Sequence, residues 1–154
     1  TKAAGAPIEV DTSTLEPGQK INLTWRGQPV WVIRRSEAAI ESLAAMDDTV
    51  SDPQSNVSSQ QPAYAKNVHR SIDPEFLVLV PICTHLGCIP SYMPQAGSLD
   101  ADWQGGFFCP CHGSKFDLAG RVYRGVPAPT NLQVPPHRMA DNGALVIGED
   151  PEAA

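Results

Sequence analysis

The first third of the chain alternates between apolar and polar positions. The segment 21–25 reads Ile-Asn-Leu-Thr-Trp, and this period of two predicts a half-buried strand. Turn-forming residues at 26–29 lead into the apolar run 30–33, so the two segments predict an antiparallel hairpin. A shorter apolar segment at 8–10 predicts another strand before it.

The next part of the chain combines one helical segment with a long polar connection. Ser36 is the predicted N-cap of a short helix over 37–46, which is rich in Ala, Glu and Leu. Residues 47–74 are rich in Ser, Gln, Asn, Pro and Asp without periodicity, so we expect a long surface connection with room for a helical turn. The apolar run 76–80 ends at Pro81 and predicts a buried strand.

The last part of the chain contains only short strand candidates, at 122–123, 132–134 and 144–147. With 15 prolines and 12 glycines, the chain has the composition of a strand-rich and loop-rich protein. We therefore predict an all-β domain with one inserted, loop-rich lobe at 82–128. The base of this domain would consist of residues 8–81 and 129–154.

Charge and length exclude several classes of function. The 154 residues suit one domain, and the net charge of −6 with scattered Lys and Arg excludes a basic nucleic-acid footprint. The longest apolar run, 76–82, is much shorter than the roughly 20 residues of a membrane-spanning helix. His69 and His137 are predicted to lie on the surface, and the tryptophans are predicted to pack in the core or in loops: Trp25, Trp31 and Trp103.

Two short clusters hold all four cysteines and two of the four histidines. They read Cys83-Thr84-His85-Leu86-Gly87-Cys88 and Cys109-Pro110-Cys111-His112-Gly113-Ser114. Thiolate and imidazole are the ligands that hold iron or zinc in proteins. The clusters offer six candidate ligands, whereas a tetrahedral ion takes four, so two of the six need another role.

Three assignments of these six groups are open. Four groups could bind a structural zinc, although zinc sites usually space their cysteines as C-x2–4-C. The cysteines could instead form two disulfides, which would leave the histidines incidental. In the third assignment each cluster gives one Cys and one His to two sulfide-bridged irons, and the leftover Cys88 and Cys111 pair with each other.

The two boxes, C-T-H-L-G-C and C-P-C-H-G-S, resemble those of Rieske [2Fe–2S] proteins, in particular the Rieske subunits of cytochrome bc1 complexes. Residues 120–129 resemble the proline loop of that family, 131–135 the strand after it, and 15–18 an early turn. The resemblance implies an antiparallel β-sandwich with one short helix, and an inserted cluster-binding lobe that holds a [2Fe–2S] cluster.

The resemblance also implies a role for individual residues. The iron ligands would be Cys83, His85, Cys109 and His112, and Cys88 and Cys111 would form a disulfide. Residues near the second box would tune the cluster: Gly113, Ser114 and Phe116, the last standing where respiratory relatives often carry a tyrosine. Leu86 and Gly87 would dock against cytochrome b and its quinol together with His85 and His112. The proline loop that covers the cluster would contain Pro127, Ala128 and Pro129.

The function implied is electron transfer within a quinol–cytochrome c reductase. The chain would accept one electron from quinol, with a coupled proton at a histidine ligand, and pass it to cytochrome c1, without a complete active site of its own. Alternatives are a Rieske ferredoxin or the small subunit of another periplasmic oxidoreductase. The second cysteine pair, Cys88 and Cys111, argues against the ferredoxin, and the proline loop makes the other subunit less fitting.

The resemblance further implies a place in the cell. A disulfide persists in an oxidising compartment, so we expect the periplasmic face of a bacterial membrane, or the intermembrane-space side in mitochondria. Family members are tethered by an N-terminal helix that this chain lacks, so we expect a soluble fragment with residues 1–7 as the remnant of a hinge. The gap between the boxes, 86–108, is longer than the family's usual gap, and we expect the extra residues to lie in a surface loop at 92–104.

Overall fold

The computed structural model describes residues 7–84, 87–111, 113–140 and 142–150, and within them the strands form three antiparallel sheets. The elements, in chain order, are β1 (Ile8–Val10), β2 (Lys20–Trp25), β3 (Gln28–Arg34), α1 (Glu37–Leu43), β4 (Phe76–Leu79), β5 (Ser91–Met93), β6 (Gly106–Phe108), β7 (Lys115–Phe116), β8 (His137–Met139) and β9 (Leu145–Ile147). Two short 3-10 turns, Ser58–Gln60 and Ala63–Ala65, lie in the connection before β4. The predicted all-β fold with one short helix is confirmed.

The sheet β2-β3-β4 lies at the centre and is buried on both faces. In β3, Val30 and Val32 belong to one core with residues of β1 and β9. Trp31 and Ile33 point to the opposite face, because side chains alternate along a strand, and they belong to a second core with residues of β6 and β7. This two-sided burial explains why 30–33 is a continuous apolar run.

The predicted strands and helix of the first half are present, with small shifts in their ends. The hairpin between β2 and β3 turns at 26–27, because Trp25 pairs with Gln28. Ser36 is the N-cap of α1, since its side chain accepts a hydrogen bond from the amide of Ala39. The helix ends at Leu43 rather than at 46, because the next amides bond to carbonyls three residues back and tighten the chain into turns.

Two predicted strands in the second half are wrong. Residues 122–123 and 132–134 form only single bridges, such as Phe116 with Val122 and Val80 with Gln133. Prolines at 127, 129, 135 and 136 surround these segments and lack the amide proton that a longer ladder would need. The prediction for 144–147 is confirmed by β9.

The surface position predicted for His137 is wrong. His137 lies in β8, pairs with Ile147 and is buried. Its Nδ1 lies 2.9 Å from the carbonyl oxygen of Pro135, and its ring makes an edge contact with Tyr64. His69 is half-buried, and all three tryptophans are buried, as predicted.

The predicted loop-rich lobe contains a third sheet, β5-β6-β7, which carries the second cysteine box between two of its strands. Gly106 makes this sheet possible, because a Cβ at that position would collide with the backbone carbonyl of Phe116. Among the described residues, no helix is long and apolar enough to cross a membrane. The division of the chain into a base and a lobe stays a prediction.

Candidate metal centre

The first cysteine box is a tight loop between β4 and β5. The amide of Cys83 donates to the carbonyl of Cys88 at 2.6 Å, and the amide of Gly87 donates to the carbonyl of Cys83 at 3.0 Å. Gly87 has φ +84°, in the left-handed region that glycine adopts without steric cost. The loop therefore turns back on its own first cysteine.

The second box repeats this geometry between β6 and β7. The amide of Cys109 donates to the carbonyl of Ser114 at 2.8 Å, and the amide of Gly113 donates to the carbonyl of Cys109 at 2.9 Å. Gly113 has φ +82°. The two boxes thus share the same pair of backbone hydrogen bonds and the same glycine conformation, and Cys83 and Cys109 occupy the same position in each.

The predicted disulfide between Cys88 and Cys111 is present and joins the two loops. Its Cα atoms are 6.6 Å apart, and the two residues are 23 positions apart in the chain. The sulfur of Cys109 lies within 4.8 Å of both disulfide sulfurs. Disulfide sulfurs are not thiolates, so of these three cysteines only Cys109 can bind a metal ion as a thiolate.

The side chains of Cys83 and Cys109 are buried in one apolar core with Trp31, Phe107 and Phe116. A buried thiolate is costly unless a cation neutralises it, so such thiols suit an iron cluster. His85 and His112, the remaining predicted ligands, lie outside the described residues, as does Leu86. The two equivalent cysteines, each followed closely by a histidine, fit a cluster with mixed thiolate and imidazole ligands.

Both boxes are attached to the proline loop by a hydroxyl group. The Oγ of Ser114 accepts a hydrogen bond from the amide of Ala128 at 3.0 Å, and both residues are buried. On the other side, the Oγ1 of Thr84 donates to the carbonyl of Thr130 at 2.6 Å. Sequence reasoning singled out Ser114 but missed Thr84, although a hydroxyl directly after a ligand cysteine was a usable signal.

The outer parts of the proline loop are exposed, since Pro127 and Pro129 face solvent while Ala128 packs in the core with Cys83 and Cys109.

Gly87 in the first box is also exposed. Next to this box lies Ile89, the most exposed large apolar side chain among the described residues at 55%. Sequence reasoning missed Ile89, because a lone apolar residue beside a cysteine carries no periodic signal.

Phe116 is fully buried and pairs with Phe107 across β6 and β7. It shares the core of Cys83 and Cys109 and, unlike a tyrosine, offers no hydroxyl group there. Phe107 also contacts the ring of Tyr92, with centroids 5.6 Å apart. Burial raises the pKa of Tyr92 to about 12, so this phenol remains neutral.

The stretch 92–104 is mostly exposed, but a buried tryptophan anchors it. Trp103 donates its indole N–H to the carbonyl of Met93 at 3.0 Å, and its ring centroid lies 5.8 Å from that of Tyr123. Lys115 of β7 forms an ion pair with Asp100 at 3.4 Å. The stretch therefore forms a cap on the outer side of β7, and we call residues 94–104 the cap.

Comparison with known protein families identifies the domain. The Rieske [2Fe–2S] domain matches residues 8–136 of the chain. The chain is similar to a ubiquinol-cytochrome c reductase iron-sulfur subunit of Allochromatium vinosum, with 54% identity over 97% of this chain and 72% of that protein. It is 42% identical to the mitochondrial Rieske subunit of the cytochrome b-c1 complex of Solanum tuberosum, over 93% of this chain and 47% of that protein. The chain thus spans about half the length of this plant relative.

Solved structures show the same architecture. A chain of a hyperthermophilic respiratory Complex III matches with a TM-score of 0.51 and 25% identity, over 89% of this chain and 71% of that chain. A quaternary ammonium Rieske monooxygenase shares the fold alone, with a TM-score of 0.50 and 14% identity over 96% of this chain and 32% of that one. The chain therefore belongs to the Rieske [2Fe–2S] domain family, and its cofactor is a [2Fe–2S] cluster.

Proposed function

We propose that the chain is the electron-transfer subunit of a quinol–cytochrome c reductase, and that it carries one electron from quinol to cytochrome c1. The observation that carries this proposal is the pair of equivalent cysteine loops, joined by the Cys88–Cys111 disulfide and attached to a proline loop. The relative with 54% identity over 97% of the chain is such a subunit by name.

The proposed ligand set follows from the two loops. Cys83 and Cys109, which are buried, would hold the inner iron, and His85 and His112 the outer one. When bound, the cluster supplies a one-electron acceptor whose potential is raised because two imidazoles replace two thiolates. The apolar core around Cys83 and Cys109 excludes water from their sulfurs.

Each ligand histidine would also handle a proton. Imidazole has two ring nitrogens, and the one that does not bind iron can hold or release a proton. We propose that this nitrogen of His85 or His112 accepts a hydrogen bond from the quinol hydroxyl and takes its proton as the quinol is oxidised. The coupling predicts a midpoint potential that decreases at alkaline pH, and a potential independent of pH would contradict it.

Ser114 is proposed to tune the cluster through its hydroxyl hydrogen. Its Oγ already accepts a hydrogen bond from the amide of Ala128, which orients the hydroxyl group. The hydrogen then remains available for donation to a sulfur atom of the cluster, which would stabilise the reduced form. The Gly113 amide is bonded to the carbonyl of Cys109, so we propose that it shapes the loop rather than contacting the cluster.

The proposed partners are the cytochrome b and cytochrome c1 subunits. Leu86 and Gly87 at the tip of the first box, with the two ligand histidines, would dock at the quinol site, and Pro127–Pro129 would flank that surface. We propose the lobe 82–128 as the cluster-binding unit, 8–81 and 129–154 as its base, and 1–7 as part of a hinge. The disulfide suits an oxidising compartment, so we propose the periplasmic or intermembrane-space side of the membrane.

Low-temperature EPR of the reduced protein tests the ligand set. We expect a [2Fe–2S] signal with an average g below the free-electron value, and its loss in His85→Ala and His112→Ala. The matched control is His69→Ala, which removes the same side chain from a half-buried position away from both boxes and should keep the signal. Bound zinc without a signal would refute the proposal.

Reconstitution tests the partners. A bc1 complex depleted of its iron–sulfur subunit should recover quinol–cytochrome c reductase activity when the cluster-loaded protein is added back. Recovery should fail with the EPR-silent ligand variants. A signal in EPR combined with electron delivery only to an oxygenase would keep the cluster and overturn the proposed function.

A further inference from the structure

Three arginine side chains lie inside the protein. Arg35, Arg70 and Arg121 are at most 2% exposed. Arg121 forms an ion pair with the buried carboxylate of Asp117, with Nε and Oδ2 2.7 Å apart, so its charge is neutralised locally. In the part of the chain that the structure describes, neither Arg35 nor Arg70 has a carboxylate within ion-pair distance.

Arg35 binds neutral oxygen atoms only. Its guanidinium donates to the carbonyls of Pro74 at 2.7 Å, His69 at 2.8 Å and Leu118 at 3.0 Å, and to the hydroxyl of Ser71 at 2.8 Å. These bonds hold the irregular connection before β4, but they do not cancel the positive charge, which the carboxylates of Asp117 and Asp73, beyond ion-pair distance, offset only in part.

Arg70 has the same kind of environment. It donates to the carbonyls of Ala119 and Gln60 and to the side-chain oxygen of Gln61, each at 3.1 Å. Its Nε is buried without a hydrogen-bond partner. Gly120 leaves room for this side chain, because a Cβ there would lie 3.2 Å from the Nη1 of Arg70.

Both cations donate to carbonyls of the turn at 118–119, which follows the second metal loop after strand β7. Strand β7 starts at Lys115, one residue after Ser114, and ends at Phe116, which packs in the same core as Cys83 and Cys109. The turn is two residues farther along. The two positive charges are therefore attached to the segment that continues from the Cys109 loop, and Arg70 also lies against Gly120, where the proline loop starts.

The guanidinium groups stay charged despite their burial. Burial lowers the pKa of Arg35 to about 9 and that of Arg70 to about 10, which leaves both protonated at neutral pH. Burying an unpaired cation costs free energy, and neutral side chains could serve the same carbonyls. The charge itself thus calls for an explanation.

We propose that the buried positive charges of Arg35 and Arg70 raise the reduction potential of the [2Fe–2S] cluster. Reduction adds one negative charge to the cluster, and fixed buried cations stabilise that charge more than exposed ones do, because the protein interior screens them less. The inference rests on the cluster that the family assigns to this chain, and it does not depend on the proposed partners.

The test compares neutral and charge-retaining variants of the cluster-loaded protein in a mediated redox titration. Arg35→Met and Arg70→Met should each shift the reduction equilibrium about threefold toward the oxidised form, or about 30 mV at 59 mV per tenfold. Arg35→Lys and Arg70→Lys keep the charge, so their reduction equilibrium should stay within twofold of the parent's, although hydrogen bonds are lost. Chemical mediators deliver the electrons, so a failure with quinol would leave this result unaffected.

Arg34→Met is the matched control. Arg34 neighbours Arg35 in the sequence and carries the same charge, but its side chain is 31% exposed and pairs with Glu75 at 2.9 Å. This variant should shift the equilibrium less than twofold, and salt should reduce the shift further, whereas the shifts at the buried positions should persist at high salt.

Two outcomes would overturn the proposal. One is an unchanged potential in methionine variants that fold and load the cluster normally, as judged by thermal unfolding and EPR intensity. The other is an equal shift in the lysine and methionine variants, which would assign the effect to loop position instead of charge. If Arg70→Met does not fold, the comparison of Arg35→Met with Arg35→Lys is judged by the same two criteria.

Discussion

Phe116 gives the most direct residue-scale prediction. It is fully buried in the same core as Cys83 and Cys109. Phe116→Tyr should raise the midpoint potential, because a hydroxyl that donates to a ligand sulfur favours the reduced cluster. A hydrogen bond of about 1 kcal/mol corresponds to about 40 mV for a one-electron couple. A redox titration of the variant measures this directly.

The control for that substitution is Phe108→Tyr. Phe108 is half-buried and lies on the face of β6 opposite to Phe107, the residue that pairs with Phe116. The same added oxygen should therefore leave the potential unchanged. No shift at Phe116→Tyr would mean that the hydroxyl does not reach the sulfur from β7.

His137 makes stability depend on pH. Burial lowers its pKa below the ordinary value of about 6.5, and the groups that face it are Tyr64, whose hydroxyl accepts from the His137 amide, and Asp150. The unfolded chain therefore takes up a proton at a higher pH than the folded protein does. The free energy of unfolding should fall as the pH drops through and below about 6.5.

The variant His137→Leu isolates this effect. It should be less stable than the parent at pH 7.5, because the contact of Nδ1 with Pro135 is lost, and the difference in melting temperature should shrink at pH 5.5. His69→Leu, at a half-buried position, should show a smaller change with pH. A difference that grows on acidification would contradict the assignment.

At this scale, the chemistry of the two boxes was predictable from the sequence, whereas the burial of polar side chains outside them was not. The cysteine and histidine boxes carry a fixed spacing, so the ligand candidates could be named from it. His137 and the three buried arginines have no such signal. The positions of the arginines depend on carbonyls from separate parts of the chain, such as those of Pro74, Ala119 and Leu43, and neither composition nor periodicity records where those carbonyls point.

Among the elements, the strands with two-residue periodicity were predictable and those of the lobe were not. β2 and β3 have long alternating or apolar runs, so hydrophobicity alone identifies them. β6 and β7 are short, and one of them begins at the glycine pair 105–106, whose role is to let the backbones approach. Such strands exist because of packing against β3, which no local pattern encodes.

The cap at 94–104 depends on one residue, Trp103. The side chain is buried, and its indole bonds to the carbonyl of Met93. Trp103→Ala should lower the free energy of unfolding by about 3 kcal/mol or more, which is the usual cost of truncating a buried aromatic residue. Denaturant unfolding measures the loss, and limited proteolysis should show earlier cleavage within the cap.

Gln104→Ala provides the comparison for Trp103. Gln104 is the exposed neighbour, and its removal should change stability by less than about 0.5 kcal/mol. If both variants had the same small effect, the cap would be a surface excursion that the rest of the fold does not need.

At the scale of the whole molecule, three sheets are stacked so that the central one serves two cores. The core shared with β1 and β9 packs the first and last strands onto the central sheet, and the core shared with β6 and β7 contains Cys83 and Cys109, the proposed iron ligands. The metal loops therefore rest on a sheet whose other face is already packed. Mutations in β1 or β9 should affect the global stability more than the redox potential.

The disulfide is the covalent link between the two metal loops, and its removal is a test of the whole arrangement. Each box keeps its own backbone hydrogen bonds, so Cys88→Ala with Cys111→Ala should leave the base and both loops folded. The free energy of unfolding should decrease by about 3 kcal/mol, because the bridge closes a loop of 23 residues in the unfolded chain.

The cluster should be lost faster in this double variant, because its proposed ligands come from both loops, which would then be connected by the proline loop and the shared core without a direct covalent bond. The rate at which an iron chelator takes up the released iron measures this, with the parent protein in a strong thiol reductant as the second arm. Both arms should release iron faster than the oxidised parent. Equal rates in all three would show that Ser114, Thr84 and the shared core suffice to hold the loops together, since the disulfide would then act only on the unfolded chain.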